Sequence, residues 1–397
     1  MQLKHLSLTN IRNFSRLDTD VPAGTTLIVG ANAQGKTSIL EAVYFLATMT
    51  SFQAERDQEM INLIEARKSL AVGRIVNEFS RGEQDHRIET RIIKETTRQN
   101  SDRTRKEVLV DGVKKKSSDA IGSFNAVLFL PQMMQVVEGS PSHRRHYFDL
   151  VISQVTPHYA STLADFRKIL QQRNALLKQL HEHFGDSSQL DFWDGRIAKR
   201  AAEIIHARIQ AVQEIDQIAG KVHHDLTRSK EVLRLSYQPS FDPLPSPNNQ
   251  MQLLDAPADR GKISIDKIES LLLERLAASR KEEIQRGQTT TGPHRDEIRF
   301  ISNGIDLGIY GSRGQVRSIM MTMKLAEVAW MEQKTGFRPV LLLDEVLAEL
   351  DAERRSDLLA RVTESHQALL TTTDLSQFES GFVKDAKIWN IHQGRLE

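Results

Sequence analysis

Thr26-Leu-Ile-Val-Gly-Ala-Asn-Ala-Gln-Gly-Lys-Thr-Ser-Ile-Leu-Glu-Ala-Val-Tyr-Phe-Leu46 decides the architecture of this chain. An apolar run, Thr26 to Val29, is followed by a glycine-bounded loop, Gly30 to Gly35, and then by a segment with helical character from Ser38 to Leu46. Strand, loop and helix in that order are the context that a phosphate-binding P-loop requires. Gly30 and Gly35 let the backbone curl so that successive N–H groups point inward. Lys36 adds a point charge for the β- and γ-phosphates, Thr37 a hydroxyl for Mg²⁺, and the helix start a partial positive charge. The nucleotide-binding segment is therefore Gly30, Ala31, Asn32, Ala33, Gln34, Gly35, Lys36, Thr37 and Ser38, with Lys36 also placed among the catalytic residues.

Working outward, 397 residues with 39% hydrophobic content are enough for two or three domains. No apolar run approaches the roughly 20 residues of a membrane span, and the expectation is a cytoplasmic protein. The absence of cysteine excludes disulfide, thiolate-metal and thiol chemistry. Lys+Arg 53 against Asp+Glu 52 leaves a net charge of +1, so any polyanion site must be local. Two basic runs are the candidates: Arg98 to Lys116, containing Arg105 and Lys106, and the pair Arg144-Arg145.

Leu3 to Leu8, Arg16 to Val21 and Leu27 to Val29 read as early strands, and His86 to Lys94 and Glu107 to Val110 as a pair turning at Asp111-Gly112. Asn125 to Leu130 reads as a buried strand stopped by Pro131. From about Tyr147 to Ile284 the apolar residues recur mostly at helical spacing. One helix is marked by Leu163 to Leu180, a second of about 30 residues by Ile197 to Val222, and a last one runs from about Ser264 to Gln285 after a proline-rich loop. The expected organisation is a head at 1–122, a mainly helical insert at 123–286 and the rest of the head at 287–397.

Pro339-Val-Leu-Leu-Leu-Asp344-Glu345 is a buried strand ending in two acids, a Walker B pattern. Asp344 is placed to hold Mg²⁺ with Thr37, and Glu345 to act as general base toward the attacking water. Gly311-Ser-Arg-Gly-Gln315 precedes a helix from Ser318 to Gln333, which puts Ser312 and the amides around Gly314 at a helix N-terminus, a second anion site.

The order P-loop, Ser-x-Gly-Gln, Asp-Glu, Glu349-Leu-Asp351 resembles the ATPase heads of the ABC class, and particularly their SMC-like DNA-repair branch. Leu8-Thr-Asn-Ile-Arg-Asn-Phe14, Gly139-Ser-Pro-Ser-His-Arg-Arg145 with Asp149, and Thr290-Thr-Gly-Pro-His-Arg-Asp296 narrow the resemblance to the RecF family, over essentially the whole chain. It implies an α/β ABC-type head with an inserted helical domain. It also implies an ATP-dependent homodimer in which Ser312, Gly314 and Gln315 reach the partner's γ-phosphate while Asp351, in the D-loop, sits at the seam. Thr372 or Thr373 would occupy the switch position. The implied activity is a weak, DNA-stimulated ATPase with ATP and Mg²⁺ as cofactors, clamping duplex DNA near single-strand gaps and promoting RecA loading with RecR and RecO. Arg144, Arg145, Arg105 and Lys106 are the candidate DNA contacts. One departure is Gln132, where the family usually carries an acid after the proline. The alternative is an SMC-type structural head without a RecA-loading role, but the insert is too short for long coiled coils.

Overall fold

The computed structural model describes residues 1–96, 102–183, 185–244 and 260–397. Strands β1 (Gln2–Ile11), β2 (Phe14–Asp20) and β3 (Gly24–Val29) lead into helix α1 (Lys36–Thr48). A meander follows, β4 (Leu70–Arg81), β5 (Gln84–Thr96), β6 (Asp102–Val110) and β7 (Val113–Lys115), and then β8 (Ala126–Phe129). The middle of the chain carries the longer helices α2 (Pro141–Val155), α3 (Tyr159–His183), α4 (Leu190–Leu226) and α5 (Ile265–Arg286), with strands β9 (Leu233–Gln238), β10 (Glu297–Ser302) and β11 (Ile305–Asp306). Helix α6 (Arg313–Thr335), β12 (Val340–Asp344), α7 (Ala352–Thr363), β13 (Gln367–Thr372), β14 (Lys387–His392) and β15 (Arg395–Leu396) complete it.

Two compact units result: Met1–Met133 with Glu327–Glu397, and Met134–Ala326. The division falls later along the chain than 122/123 and 286/287. β8 belongs to the first unit because it pairs in parallel with β12. The residues after α5 belong to the second because β10 pairs with β9 from within the helical insert.

The first unit holds two six-stranded sheets, ordered β2-β1-β4-β5-β6-β7 and β15-β14-β3-β13-β12-β8. Helix α1 is apolar nearly all round and shares one core with Leu6, Leu8 and Ile75 of the first sheet and Ile28, Leu128, Leu342 and Leu369 of the second. A helix buried on every side explains why Ile39, Leu40, Val43, Phe45 and Leu46 show no polar stripe. The β6–β7 turn carries Asp111 and Gly112 at φ 51° and 77°, the left-handed pair that a two-residue hairpin needs.

In the second unit α4 runs 37 residues, about 55 Å at 1.5 Å per residue, longer than the roughly 30 expected. α5 begins where the Ser264 Oγ accepts the Lys267 amide and ends at Gly287 with φ 61°, a serine start and glycine stop. Burial of Arg208 is balanced by Asp149, 2.9 Å away, and Asp296, 3.3 Å away, while Tyr159 donates to Asp149 at 2.6 Å. The 139–149 and 290–296 blocks thus meet in one buried ionic network. Among the described residues no helix is long and apolar enough to cross a membrane.

Candidate nucleotide site

The register of the second sheet assembles the site. β13 lies between β3 and β12, with Thr372 opposite Val29 and Thr371 opposite Asp344. The ends of β3 and β12 are thereby held one strand apart, and the P-loop that leaves β3 faces the acids that leave β12. The Thr37 hydroxyl donates to Asp344 Oδ1 at 3.0 Å, and Lys36 Nζ lies 3.1 Å from Glu345 Oε1. Lys36 is buried and also donates to the carbonyls of Gly30 and Ala31, at 2.8 and 3.0 Å.

Glycine is required in this loop at two points. A Cβ on Gly30 would stand 2.5 Å from the Ile391 carbonyl, and Gly35 sits at φ 109° as the residue before α1. Ala33 is left-handed as well, at φ 65°. Asn32 and Ala33 are exposed and Ser38 is buried at the start of α1.

Thr371 ties the two acids together. Its hydroxyl donates to Asp344 Oδ1 at 2.6 Å and accepts the Glu345 amide at 3.0 Å. Burial pushes the Asp344 carboxyl above the ordinary range, against the hydrogen bonds from Thr371 and Thr37. Glu345 itself holds φ 50°, a left-handed backbone that a β-carbon makes costly and that concentrates at functional positions. Thr372 and Asp374 bond each other through the Thr372 hydroxyl, and Thr373 is exposed.

Some supports of the loop have no local signature in sequence. Asn13, in the β1–β2 turn, donates to the Ala33 carbonyl at 3.0 Å. Gln34 accepts the Gln393 amide through its side chain at 2.6 Å and the Gly394 amide through its carbonyl at 3.1 Å. Arg12 grips the fully buried Glu41 of α1 with two bonds of 2.7 Å. The Leu8–Phe14 block is the hint, since Arg12 and Asn13 stand at the turn where the alternating β1 strand ends.

Ser312, Gly314 and Gln315 stand in the other compact unit. Ser312 Oγ accepts the Gln315 amide at 3.3 Å, and Gln315 Oε1 accepts the Ser312 amide at 3.1 Å. This reciprocal capping box starts α6. Ser312, Arg313 and Gly314 are exposed, and nothing lies within 4 Å of a Cβ on Gly314. Asp351 caps α7 by accepting the Arg354 amide at 2.9 Å, which together with the Arg354 charge lowers its carboxyl below the usual range.

The expected DNA contacts fare differently. Arg144 is buried: its guanidinium chelates Glu297 at 2.7 and 2.8 Å and donates to the carbonyls of Val137 and Gly139. Those bonds occupy it inside the fold. Lys106 likewise donates to the Met49 carbonyl at 2.7 Å and pairs with Asp57 at 3.0 Å. Arg145 donates to the Asp296 carbonyl at 2.6 Å, and Arg105 remains half exposed beside Glu95 and Glu107. Arg98 lies outside the described residues. Gln132 is exposed just after β8.

A parallel sheet that brings a P-loop lysine and threonine against a Walker B Asp-Glu pair, in a chain with a Ser-x-Gly-Gln helix cap, defines an SMC-like ATPase head of the ABC type. The family model for the RecF/RecN/SMC N-terminal domain matches residues 2–394. The DNA replication and repair protein RecF of Chloroflexus aurantiacus is 36% identical over all of this chain and 99% of that protein. The RecF of Lacticaseibacillus paracasei is 34% identical at the same coverage. Among solved structures, the recombination mediator RecF of the RecFOR pathway with a bound ATP analogue superposes with a TM-score of 0.83 at 27% identity, covering 100% of this chain and 97% of that one. An SMC head bound to the C-terminal winged-helix domain of ScpA, at 14% identity and a TM-score of 0.52 over 100% and 96% of the two chains, shares the fold. The chain belongs to the RecF family of DNA replication and repair proteins.

Proposed function

We propose that this protein binds ATP at Gly30–Ser38, Asp344 and Glu345, and that bound ATP closes two copies head to tail into a clamp on duplex DNA beside single-strand gaps. The observation that carries the reading is the convergence of Lys36, Thr37, Asp344 and Glu345 within hydrogen-bond or ion-pair distance. Within the second unit, the exposed, amide-rich start of α6 at Ser312 serves as a separate anion site. Thr37 Oγ1 and Asp344 Oδ1, hard oxygen donors 3.0 Å apart, suit Mg²⁺, which when bound would offset phosphate charge.

Lys36 binds the phosphates and Thr371 orients Asp344 and the Glu345 backbone. Glu345 then accepts the proton of the attacking water, so hydrolysis releases the contact that ATP made. Ser312, Gly314 and Gln315 serve the partner's γ-phosphate, and Asp351 lies at the seam between copies. A closed C2 pair forms both sites together. ATP in this scheme is a switch, and the clamp places RecA at gaps with RecR and RecO. RecF-ATP structures of the RecFOR pathway support the nucleotide step.

Sizing wild type, Lys36→Met and Ser312→Arg with ATP, with and without duplex DNA, tests the scheme. Lys36→Met should lose nucleotide, and Ser312→Arg should bind it yet remain monomeric. A wild type that stays monomeric under ATP sinks the sandwich.

A further inference from the structure

Ala33 and Gln34, at the tip of the P-loop, have their carbonyls held by two turns that come from opposite ends of the chain. The Ala33 carbonyl accepts Asn13 Nδ2 of the β1–β2 turn at 3.0 Å, and the Gln34 carbonyl accepts the Gly394 amide of the β14–β15 turn at 3.1 Å. The Gln34 side chain adds a third bond, its Oε1 accepting the Gln393 amide at 2.6 Å. The two turns also touch each other: a Cβ on Gly394 would stand 2.5 Å from the Asn13 carbonyl. Glycine at 394, with φ 70°, permits both the left-handed turn and that approach. Next along the loop, a Cβ on Gly35 would stand 3.1 Å from the ring of Phe14, which is fully buried. The tip therefore sits in a closed ring of contacts made by residues 13–14 and 393–394, all within the first compact unit.

A trans peptide is planar, and its N–H stands opposite its C=O. With the Ala33 carbonyl turned to Asn13 and the Gln34 carbonyl turned to Gly394, the Gln34 and Gly35 N–H groups point away from the two turns. Those are amides of the kind that a P-loop turns on phosphate. The arrangement has a backbone cost. Ala33 is left-handed at φ 65° and Gln393 at φ 48°, and residues other than glycine keep that backbone where their surroundings over-determine it. The ring of bonds and close approaches supplies that over-determination. The terminal hairpin does not need the ring for its own pairing, since β14 is paired with β3 and β15 with β14.

We infer that Asn13, Gln34 and the β14–β15 turn are positioning residues for ATP, clasping the tip of the P-loop so that its amides are fixed toward phosphate. The inference deepens the nucleotide reading above and rests on it. A site whose donors are locked by a supporting shell loses less conformational freedom when it takes its ligand. The clasp therefore acts on ATP capture. It lowers KM and leaves unchanged the hydrolytic step, which belongs to Glu345 and the attacking water. By reciprocity, ATP held by the amides on one side of the loop tightens the contacts that hold the carbonyls on the other.

The test measures steady-state hydrolysis against ATP concentration, fluorescent ATP binding and urea unfolding for Asn13→Ala, Gln34→Met, Gly394→Ala, Gly24→Ala and Lys36→Met. Asn13→Ala and Gln34→Met each remove one side-chain bond of the clasp. Both should raise KM and the ATP dissociation constant by about tenfold, or about 1.4 kcal/mol, with kcat within about twofold of wild type. Gly394→Ala, which drives a Cβ onto the Asn13 carbonyl, should do at least as much. Gly24→Ala is the control: it strains a left-handed residue at the other end of β3, with nothing within 4 Å of its Cβ, and should lower the urea midpoint while leaving KM alone. In wild type, ATP should slow hydrogen exchange of the peptide carrying Gln393 and Gly394 by about tenfold, and Lys36→Met should abolish that slowing. If Lys36→Met loses ATP while Asn13→Ala and Gln34→Met keep KM within about twofold of wild type, the clasp is wrong and the nucleotide reading stands. If Lys36→Met binds ATP as wild type does, that reading fails and the clasp with it. A Gly24→Ala protein whose KM rises as much as that of the clasp variants would reduce the effect to stability and overturn the inference. So would an exchange rate at Gln393 and Gly394 that ATP leaves unchanged.

Discussion

Replacing Arg12 with alanine should destabilise the first compact unit far more than a change in an exposed turn normally does. Glu41, on the second turn of α1, is completely buried, and its carboxylate has three donors: two from Arg12 at 2.7 Å and the Ser51 hydroxyl. Arg12→Ala removes both charge-assisted bonds, each worth about 1.5–3 kcal/mol, and leaves a buried carboxylate with one partner. Breaking one side of a buried pair costs about 3–5 kcal/mol, which for a unit of this size lowers Tm by roughly 10 °C. Because Glu41 belongs to the helix that begins with Lys36, ATP affinity should fall with it. Urea unfolding and fluorescent ATP titration of Arg12→Ala, Glu41→Leu and Arg12→Met/Glu41→Leu form the assay. The double variant should recover most of the stability, since an apolar pair of similar volume replaces a buried ion pair at little cost. A loss below about 1 kcal/mol for Arg12→Ala, or a double variant no better than Arg12→Ala, refutes the argument.

Gly30→Ala should fold but lose ATP affinity by more than tenfold in the same titration, because its Cβ meets the Ile391 carbonyl at 2.5 Å, whereas Gly314→Ala, with open space around it, should bind ATP as wild type does. Thr371→Val keeps the shape but strips the hydroxyl from Asp344 and the Glu345 amide; losing about 1–3 kcal/mol of positioning should slow steady-state hydrolysis by roughly tenfold or more, with ATP affinity little changed. Burial holds the His294 imidazole down at about 4, below its ordinary 6.5. The unfolded chain therefore takes up a proton between those values that the folded chain refuses, so this contribution is intact above pH 6.5 and is lost as pH falls toward 4. Lowering the pH from 7 to 5 should cost the helical unit about 2 kcal/mol in urea unfolding, and His294→Gln should flatten that dependence.

The elements legible in sequence were those whose signal is local. β3 and β12 are short apolar runs stopped by glycine or acids, and α5 starts just after Ser264 and ends at Arg286, before Gly287, because its cap residues are explicit. The P-loop and Walker B residues each lie in a local motif, and the Thr37 hydroxyl donates to Asp344 at 3.0 Å. Other features depend on partners distant in sequence. β4 has no clear local signal, because Leu70–Arg81 is buried on both faces in part and its Gly73 lies against Ile11, so neither a clean alternation nor a clean apolar run appears in the residue types. β9 alternates, with Leu233, Leu235 and Tyr237 inward, but stands in a long helical stretch whose period masks it. α4 exceeded its estimate because its first turns, Leu190-Asp-Phe-Trp-Asp194, lack the regular aliphatic spacing that follows. Gln34 lies within the P-loop and Asn13 in the Leu8–Phe14 block, but their bonds, like those of Thr371, Gln393 and Gly394, carry no local signal and arise from where the sheet and the β1–β2 turn bring them.

Charge shows the same difference between a line of sequence and a sheet. Read along the chain, Arg103, Arg105, Lys106 and Lys114 make a basic run. Across the sheet, Arg103 is opposite Glu95, Arg105 bonds Glu95 and Glu107, Lys114 approaches Glu107, and Arg74 and Arg91 both hold Glu89. Cross-strand pairs of this kind neutralise a surface that the sequence presents as positive. With a net charge of +1 for the chain and Arg144 consumed by Glu297, this sheet exerts little standing electrostatic pull on phosphate. In the clamp reading, such a protein would hold duplex DNA through closure around it more than through attraction to an open face. Under the clamp reading, DNA affinity should then follow the ATP-driven dimer: Ser312→Arg should abolish it, while Arg105→Ala, which removes one phosphate contact at most, should lower the slope of log affinity against log salt by no more than about 1.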